Sequence, residues 1–415
     1  MLAMLFLAYI FAIVDRFILA LLAEPIRADL GISDTDIALL YGLAFLLMNS
    51  ILQLPLGRLV DRYPRIPLAA AGIALWSVMT VASGLATRFS HLAFARLFVG
   101  AGEAALIPAA YSLIGDSFTR RRLGIAMGIF YLGGNLSVGV SLIVGSSIMG
   151  WASRAGPMAI PHIGLLQPWQ VTFVVVGLPG LILAALMMFM PEPARTRGKA
   201  AAPSWDDIMA YLRANARWLV PVHLGSGCAV LILTSALSWI VILLGRRHGW
   251  SIEQAGLICG LTACAASLIG FTAGGAMSDH LQRSGSHRRL TLCAMLMGVA
   301  ILAGTSFPLM ANPFFTVMLC GALLMATGPV VASASAGLQD MAPPDMRGIL
   351  GGLFTMVINL IGGALGPLLV ATISDRYFPG GAGIANAMAI VQGMAAAIGL
   401  ALFLLAAKRL KAAAA

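Results

Sequence analysis

Gly57-Arg58-Leu59-Val60-Asp61-Arg62-Tyr63-Pro64-Arg65 is a charged stretch set between two mostly apolar runs, Ile37–Leu56 and Pro67–Thr87. Its pattern returns once, far along the chain: Gly275-x-x-x-Asp279 repeats Gly57-x-x-x-Asp61, and Arg289 repeats Arg65. The register then continues. Asp116, Gly124, Gly128, Asn135 and Gly139 meet the same residue types, at the interval that separates Arg65 from Arg289, in Asp340, Gly348, Gly352, Asn359 and Gly363. The first glycine–aspartate match has a slightly shorter interval, which a longer loop around Gln282–Ser286 explains. Glycine pairs alone carry little weight, because glycine is common in membrane helices. Aspartate, arginine and asparagine in one register carry more. The reading is one plan used twice.

Working outward, the runs flanking this stretch have counterparts along the whole chain. Of the 415 residues, 60% are hydrophobic and only 10% charged, whereas soluble domains carry roughly 25% charged residues. Such a chain cannot cover a water-facing surface, but it can face lipid. A membrane-crossing helix needs about 20 predominantly apolar residues. Runs of that kind are predicted near Leu2–Ala23, Ile37–Leu56, Pro67–Thr87, Leu92–Ile114, Leu123–Ile148 and Val171–Met190. They resume near Leu219–Gly245, Ala255–Met277, Leu290–Met310, Phe314–Leu338, Ile349–Ile373 and Ala385–Ala407. Backbone facing lipid must satisfy its own hydrogen bonds, so these runs are helices; the strand alternation of an outer-membrane barrel is absent. The fold class is therefore all-α integral membrane, with twelve spans. The expected organisation is an N-terminal six-helix bundle over residues 1–190, a linker over 191–217, and a C-terminal six-helix bundle over 218–415. In the linker, Ser204-Trp205-Asp206-Asp207 resembles a capping box. Trp205, Ile208, Leu212, Ala216 and Leu219 then follow at helical spacing, as in a helix lying at the membrane surface.

Net charge is +10. The basic residues are concentrated in alternate loops, Arg58, Arg62, Arg65, Arg120–Arg122, Arg195, Arg213, Arg288 and Arg289 among them, and in the tail Lys408-Arg409-x-Lys411. Cytoplasmic loops are the basic ones, so both termini are expected in the cytoplasm. No basic face is interleaved with aromatics, which excludes nucleic acid as a partner. The first run begins almost at Met1 and lacks a small-residue cleavage site. The five cysteines, Cys228, Cys259, Cys264, Cys293 and Cys320, fall in apolar runs with no ligand spacing. Reduced packing thiols are expected, with no metal and no cofactor.

The motif over Gly57–Arg65 resembles the signature loop between the second and third helices of the major facilitator superfamily, with Pro64 where that family usually has glycine. Within the superfamily the chain is most similar to Spinster-like transporters, as a bacterial member. The likeness rests on Asp15-Arg16-Phe17, Gly31-Ile32-Ser33-Asp34, Arg96-Leu97-Phe98-Val99-Gly100-Ala101-Gly102-Glu103-Ala104 and Gly177-Leu178-Pro179-Gly180. The resemblance covers essentially the whole chain. It implies two pseudo-symmetric bundles, alternating access, a monomer, and a place in the bacterial inner membrane. Eukaryotic Spinster proteins move sphingoid phosphates and lysophospholipids, usually with proton coupling. In the family's cytoplasmic latch an aspartate faces exposed N–H groups at a helix start. The resemblance assigns that latch to Gly57, Asp61, Arg62 and Arg65 with Asp116, and a counterpart to Asp279, Asp340 and Arg347. The antiporter-type Gly-Pro pair is missing from the fifth run, while Gly366-Pro367 occurs in the eleventh. The direction of transport stays open.

Four ionisable residues lie within the spans: Asp15, Arg16, Arg96 and Glu103. Each costs roughly 2.5–3.5 kcal/mol at a helix centre. Their charges sum to zero, which predicts mutual pairing. At about 1.5 Å per residue, Asp15 lies ~20 Å along the first span from its cytoplasmic end. Glu103 and Arg96 lie ~17 and ~27 Å from the cytoplasmic end of the fourth span. The quartet is read as a proton-coupling network with Asp15 as its first protonation site, able to release an arginine for an anionic group. A static ion-pair network is the alternative. Tyr41, Tyr131, Asn135, Ser235, Trp239 and Asn359 are candidates to face the substrate cavity. Its otherwise apolar surroundings favour an amphipathic or lipid-like small molecule. Protons and membrane lipid are the other expected partners. No catalytic constellation is present: no His-Glu-x-x-His, Gly-x-Ser-x-Gly or phosphate-cradling glycine loop occurs. A lipid enzyme is thereby disfavoured, and a transporter-like sensor or uncoupled facilitator remains the rival.

Overall fold

With this composition the chain has to close its backbone hydrogen bonds within each segment, and the computed structural model does so. It describes residues 1–161, 164–195, 205–282, 285–343, 346–378 and 383–414. Among them twelve helices are long and apolar enough to cross a membrane. They are α1 (Leu2–Leu21), α2 (Asp34–Val60), α3 (Arg65–Ser83), α4 (Phe89–Ser117), α5 (Ile125–Ala155), α6 (Pro168–Met188), α7 (Asp206–His248), α8 (Ile252–Gln282), α9 (His287–Leu309), α10 (Pro313–Met341), α11 (Ile349–Tyr377) and α12 (Gly383–Ala412). An antiparallel pair, β1 (Met158–Ile160) and β2 (Gly164–Leu166), joins α5 to α6, with Met158 opposite Leu166. Buried Leu166 rests on Ala152 and Val171 there.

The chain divides into two compact units. Unit 1 is Met1–Arg197 with Ile240–Cys264, and unit 2 is Gly198–Trp239 with Ala265–Ala415. In unit 1, α1 packs on α5 and α6, α3 on α4 and α6, and α2 on α4. In unit 2, α9 packs on α10 and α12. These pairings correspond to α3 on α4 and α6 six helices earlier, as the sequence repeat requires.

The expected linker 191–217 ends differently from its sequence reading. Trp205–His248 is one continuous helix, so the stretch expected as a separate helix runs into the seventh span. No breaker separates them: Pro221, the first proline after the helix start, lies inside it. Ser204 of the expected capping box lies outside the described residues.

Local sequence explains the other terminations. A short helix, Ala23–Leu30, follows α1 and stops at Gly31, whose φ of 65° suits glycine. Ser33 then caps α2: its Oγ accepts from the Asp36 N–H, and the Asp36 carboxylate accepts from the Ser33 N–H. Both α2 and α11 contain a π-helical turn, Leu39–Ala44 and Ile358–Ala364. In α11 the turn precedes Pro367, which cannot donate back along the helix. The Gly362 carbonyl of this turn finds a partner on α7, where Thr234 donates to it at 2.8 Å, and one helical turn on Trp239 Nε1 donates to Pro367 O at 3.2 Å.

Candidate functional site: a buried charge quartet in unit 1

The stretch Arg96–Glu103 carries two charges and two glycines that let neighbouring helices reach them. A Cβ on Gly100 would stand 2.3 Å from the Phe45 carbonyl oxygen, and one on Gly102 would stand 2.6 Å from that of Gly72. Glycine therefore lets α2 and α3 close on α4 on either side of Glu103. Immediately after Glu103, α4 is irregular at Ala104 and Ala105. Pro108 supplies no N–H to the Ala104 carbonyl, which accounts for the irregularity.

Around this turn the four interior charges meet. Arg16 Nη2 pairs with Glu103 Oε2 at 3.1 Å. Arg96 Nη1 donates to the backbone carbonyl of Asp15 at 2.8 Å. The Asp15 carboxylate accepts from Thr80 Oγ on α3 at 3.0 Å. Two aromatic faces complete the shell: Arg16 lies over Phe45 at 4.5 Å and Arg96 over Phe173 at 4.9 Å. The quartet is unequal in access. Arg96, Asp15 and Glu103 are nearly fully buried, whereas the Arg16 side chain keeps 25% of its exposure. Arg96 Nε and Nη2 and Glu103 Oε1 have no hydrogen-bond partner among the described residues. The mutual pairing expected from charge balance takes a specific form, in which Arg16 pairs with Glu103 and Arg96 meets the backbone of Asp15.

A second network lies where α3 begins. Arg65 is fully buried and donates to Asp116 Oδ2, to Ser112 Oγ at 3.0 Å and, through Nε, to Glu192 Oε1 at 2.8 Å. Glu192 in turn accepts from the backbone N–H groups of Arg65 and Ile66 at 3.1 and 2.9 Å, capping the α3 N-terminus. Burial alone would raise the Glu192 carboxyl, but the hydrogen bonds from Arg65 and from these N–H groups outweigh it and hold the group below its ordinary range. Arg195 closes the loop by donating to the carbonyls of Val60 and Tyr63 at 2.8 and 2.7 Å. In unit 2 the repeat is kept, with Arg289 Nη1 donating to Asp340 Oδ2 at 2.7 Å.

Of the residues assigned to the latch, Arg65, Asp116 and Asp340 join these networks. Gly57 is a half-buried position in α2 and Arg62 is exposed, while the side chains of Asp61, Asp279 and Arg347 lie outside the described residues. Sequence reasoning missed Glu192 and the pairing role of Arg289. The opposed charges of Pro191-Glu192-Pro193-Ala194-Arg195, just past the sixth run, could have signalled the first, and the repeat register already held the second.

At the opposite ends of the helices, sequence reasoning missed a third cluster. Arg246 forks onto Asp34 at 2.6 and 2.8 Å and also donates to Glu24 at 2.7 and 3.0 Å. Arg27 adds a bond to Glu24 at 2.7 Å. Burial would raise the Glu24 carboxyl, yet Arg27 and Arg246 together lower it.

The cavity candidates are differently placed. Ser235 is buried, donating to Ile232 O and accepting from Gln392 Nε2 at 3.3 Å. Trp239 is buried against α11 through its bond to Pro367. Tyr41 is buried with its ring edge-on to Phe17 at 5.9 Å. Asn359 is partly exposed within the α11 π turn. The Tyr131 and Asn135 side chains lie outside the described residues.

Known proteins share this plan. Residues 5–367 match the family model of the Major Facilitator Superfamily. The chain is 24% identical to the probable galactarate/D-glucarate transporter GudP of Escherichia coli (strain K12), over 95% of this chain and 90% of that protein. It is 26% identical to protein spinster homolog 1 of Bos taurus, over 87% and 70%. Its fold superposes on the crystal structure of a bacterial homolog of the human lysosomal transporter Spinster, in an inward-facing and unoccupied conformation. That match has a TM-score of 0.85 at 21% identity and covers 99% of this chain and 97% of the other. With twelve spanning helices, a doubled plan and a family match over most of its length, the chain is an integral multi-pass membrane transporter and belongs to the Major Facilitator Superfamily.

Proposed function

We propose that this transporter couples proton binding to the movement of an amphipathic organic anion by alternating access. The observation that carries the reading is the Arg16–Glu103 pair, in which the buried carboxylate holds the one member of the quartet with access to its surroundings. Two carboxylates and two guanidiniums balance. One proton on Asp15 or Glu103 leaves a net positive charge in a low-dielectric interior, which is costly until an anion neutralises it. A proton on Glu103 weakens its hold on Arg16, whose fork suits a carboxylate or phosphate. A proton on Asp15 removes the negative charge next to buried Arg96, which reaches the Asp15 backbone carbonyl. Proton and anion then favour one another's binding, which is coupling in the thermodynamic sense.

In this reading the end where α2 meets α3 is cytoplasmic, because the basic residues concentrate there and in the C-terminal tail. Both termini are then cytoplasmic, and the membrane is a bacterial inner membrane. The twofold plan is an N-terminal bundle over residues 1–190 and a C-terminal bundle over 218–415, joined by the 191–217 linker, with the working unit a monomer.

The test has two stages. Thermal stabilisation of the purified protein is screened with organic anions from D-glucarate to lysophospholipids, and the best compound is carried into counterflow and proton-driven uptake in proteoliposomes. Wild-type protein is expected to concentrate the compound when a pH gradient is imposed. Asp15→Asn and Glu103→Gln are expected to keep counterflow and lose the response to the gradient. Full gradient-driven transport by Asp15→Asn would sink proton coupling through this residue. Binding without counterflow would mark a sensor, and counterflow with no response to the gradient in the wild type would mark an uncoupled facilitator.

A further inference from the structure

We infer that Thr80 is a positioning residue for the proton site: its hydroxyl fixes the Asp15 carboxylate and sets the pH at which that group takes a proton. The inference rests on the reading of Asp15 as a proton carrier.

The first observation is where Thr80 sends its hydrogen bond. A threonine inside a helix ordinarily donates to a carbonyl one turn back. Thr172, Thr262, Thr291, Thr305 and Thr327 all do so. Thr80 instead donates across to another helix, to Asp15 Oδ2 at 3.0 Å, from a position with no solvent exposure. Its hydroxyl is aimed at an ionisable group, the carboxylate of Asp15.

The second observation is how firmly α3 is held in the orientation that aims it. On α6, glycines at 177 and 180 face α3 on the turn containing Thr80. A Cβ at Gly177 would stand 2.9 Å from the Val81 nitrogen, and one at Gly180 would stand 2.1 Å from Ser77 Oγ. On α4, Gly102 lets Trp76 and Gly72 approach with equal closeness. These contacts bracket Thr80 on both sides along α3, so neither rotation nor sliding of the helix is free. The Gly-Leu-Pro-Gly stretch and Gly102 of the α4 stretch thus have a shared consequence, the placement of one hydroxyl.

The third observation is what else faces Asp15. Helix α4 presents Arg96 and Glu103, whose charges act on it in opposite senses. On its own helix Arg16 is turned to Glu103. Helix α5 offers the Ser141 hydroxyl, directed at the Val14 carbonyl at 3.4 Å, and α6 offers Phe173 beneath Arg96. Arg96 reaches the backbone of Asp15, so the hydrogen bond on the carboxylate itself comes from Thr80. A hydroxyl that donates to a carboxylate favours the ionised form. Removing it favours the protonated form, and the site fills at higher pH.

The test reads protonation without needing a substrate. The carboxyl C=O stretch of purified, lipid-reconstituted protein is followed by infrared difference spectroscopy as pH is varied, and the Asp15 band is assigned by its loss in Asp15→Asn. In Thr80→Val, which keeps the shape and deletes the hydroxyl, the midpoint is expected to move up by about one pH unit, as loss of a hydrogen bond to a charged group implies. The band is also expected at higher frequency, reflecting a free carbonyl. Thr80→Ser should restore both to wild-type values, which a purely structural role would not require. Thr80→Ala carries the same loss should the valine variant fail to insert. A midpoint and band in Thr80→Val that coincide with wild type would overturn the inference while leaving Asp15 as proton carrier. If Asp15→Asn removes no titrating band, the reading of Asp15 itself fails, and the two failures are distinguishable.

Discussion

The interiors of the two units share a plan and differ in chemistry. Unit 1 buries Asp15, Arg96 and Glu103 among its helices, with Arg16 beside them. Among the described residues of unit 2, the buried polar groups within the spans include Ser226, Ser235, Thr327 and Gln392 with the imidazole of His223, while buried Arg289 sits near the start of α9. A repeat fixes which helices pack together without fixing what they carry inside. Charges inside a bundle have to arise and be retained as a balanced set, because one partner alone is far more costly than none. The comparison breaks most sharply on single substitutions. Arg16→Met leaves buried Glu103 without its ion pair and is expected to cost about 3–5 kcal/mol. Gln392→Leu in unit 2 removes a neutral hydrogen bond to Ser235 and is expected to cost about 1 kcal/mol. Thermal unfolding in one detergent at neutral pH compares the two. The double variant Arg16→Met/Glu103→Gln should recover most of the loss, and equal losses for the two single variants would remove the energetic distinction between the interiors.

The repeated Arg–Asp pairs sharpen the same contrast. Arg65–Asp116 and Arg289–Asp340 join the same helix pair in each unit, yet the aspartate side chain retains 7% exposure in the first and 50% in the second. A half-exposed pair contributes about 0–1 kcal/mol, whereas breaking a buried charge-assisted bond costs about 1.5–3 kcal/mol. Asp116→Asn is therefore expected to lower the unfolding temperature several times more than Asp340→Asn. Reversal of that order would mean that exposure does not govern these pairs.

Glycines divide along another line. A Cβ on Gly102 would stand 2.6 Å from the Gly72 carbonyl oxygen and 2.8 Å from the Trp76 nitrogen, whereas one on the repeat-related Gly57 and Gly275, or on Gly128 and Gly352, would meet nothing within 4 Å. Gly102→Ala is expected to cost about 1–3 kcal/mol through overpacking. Gly57→Ala and Gly352→Ala are expected to be neutral or to stabilise by up to about 1 kcal/mol, since alanine is the better helix former. Packing in this conformation gives no reason for glycine at these four positions, unlike repeat-related Gly139, where a Cβ would stand 2.5 Å from the Gly260 carbonyl oxygen. A destabilising Gly57→Ala would point to a close neighbour that this conformation does not contain.

Much of this was legible in the sequence because hydrophobicity does the sorting. In a chain with 10% charged residues, an aspartate or glutamate within an apolar run has few explanations, so the quartet stood out, and the shared register of Asp116 and Asp340 exposed the doubled plan. Pairing was less legible. Charge balance and depth cannot distinguish Arg16 from Arg96 as the partner of Glu103, because the choice depends on which helix faces α4. Thr80 carried no signal, since a threonine in an apolar helix usually bonds to its own backbone. Ser235 and Trp239 were read toward a cavity because polarity in a span suggests function. The partner of Trp239 is the Pro367 carbonyl of α11 and that of Ser235 is the amide of Gln392, which only three-dimensional neighbours disclose. Glu192 and Arg246 lay in segments where charge is ordinary and so drew no notice.

Those last two residues yield the smallest effect and a dependence on pH. Glu192 caps α3 and Glu24 holds Arg246, and both carboxyls titrate below the 4.5 of an unperturbed glutamate because their arginine partners, with backbone N–H groups in the case of Glu192, outweigh burial. A carboxyl with a depressed folded value stabilises the fold fully above its unfolded value. That contribution is lost as pH falls from about 4.5 through the folded value, as the protein takes up protons that the unfolded chain would already hold. Unfolding temperature is therefore expected to fall on acidification below about pH 4.5, and Glu192→Gln and Glu24→Gln should each flatten part of that fall while lying below wild type at neutral pH. Both side chains keep about a third of their exposure, so each effect is small, on the order of 1 kcal/mol or less. Because the two carboxyls hold opposite ends of the unit 1 helices, the double variant should show the sum of the single effects. A double variant that differs from that sum would mean that the two ends of unit 1 are coupled through its interior, where the charge quartet lies.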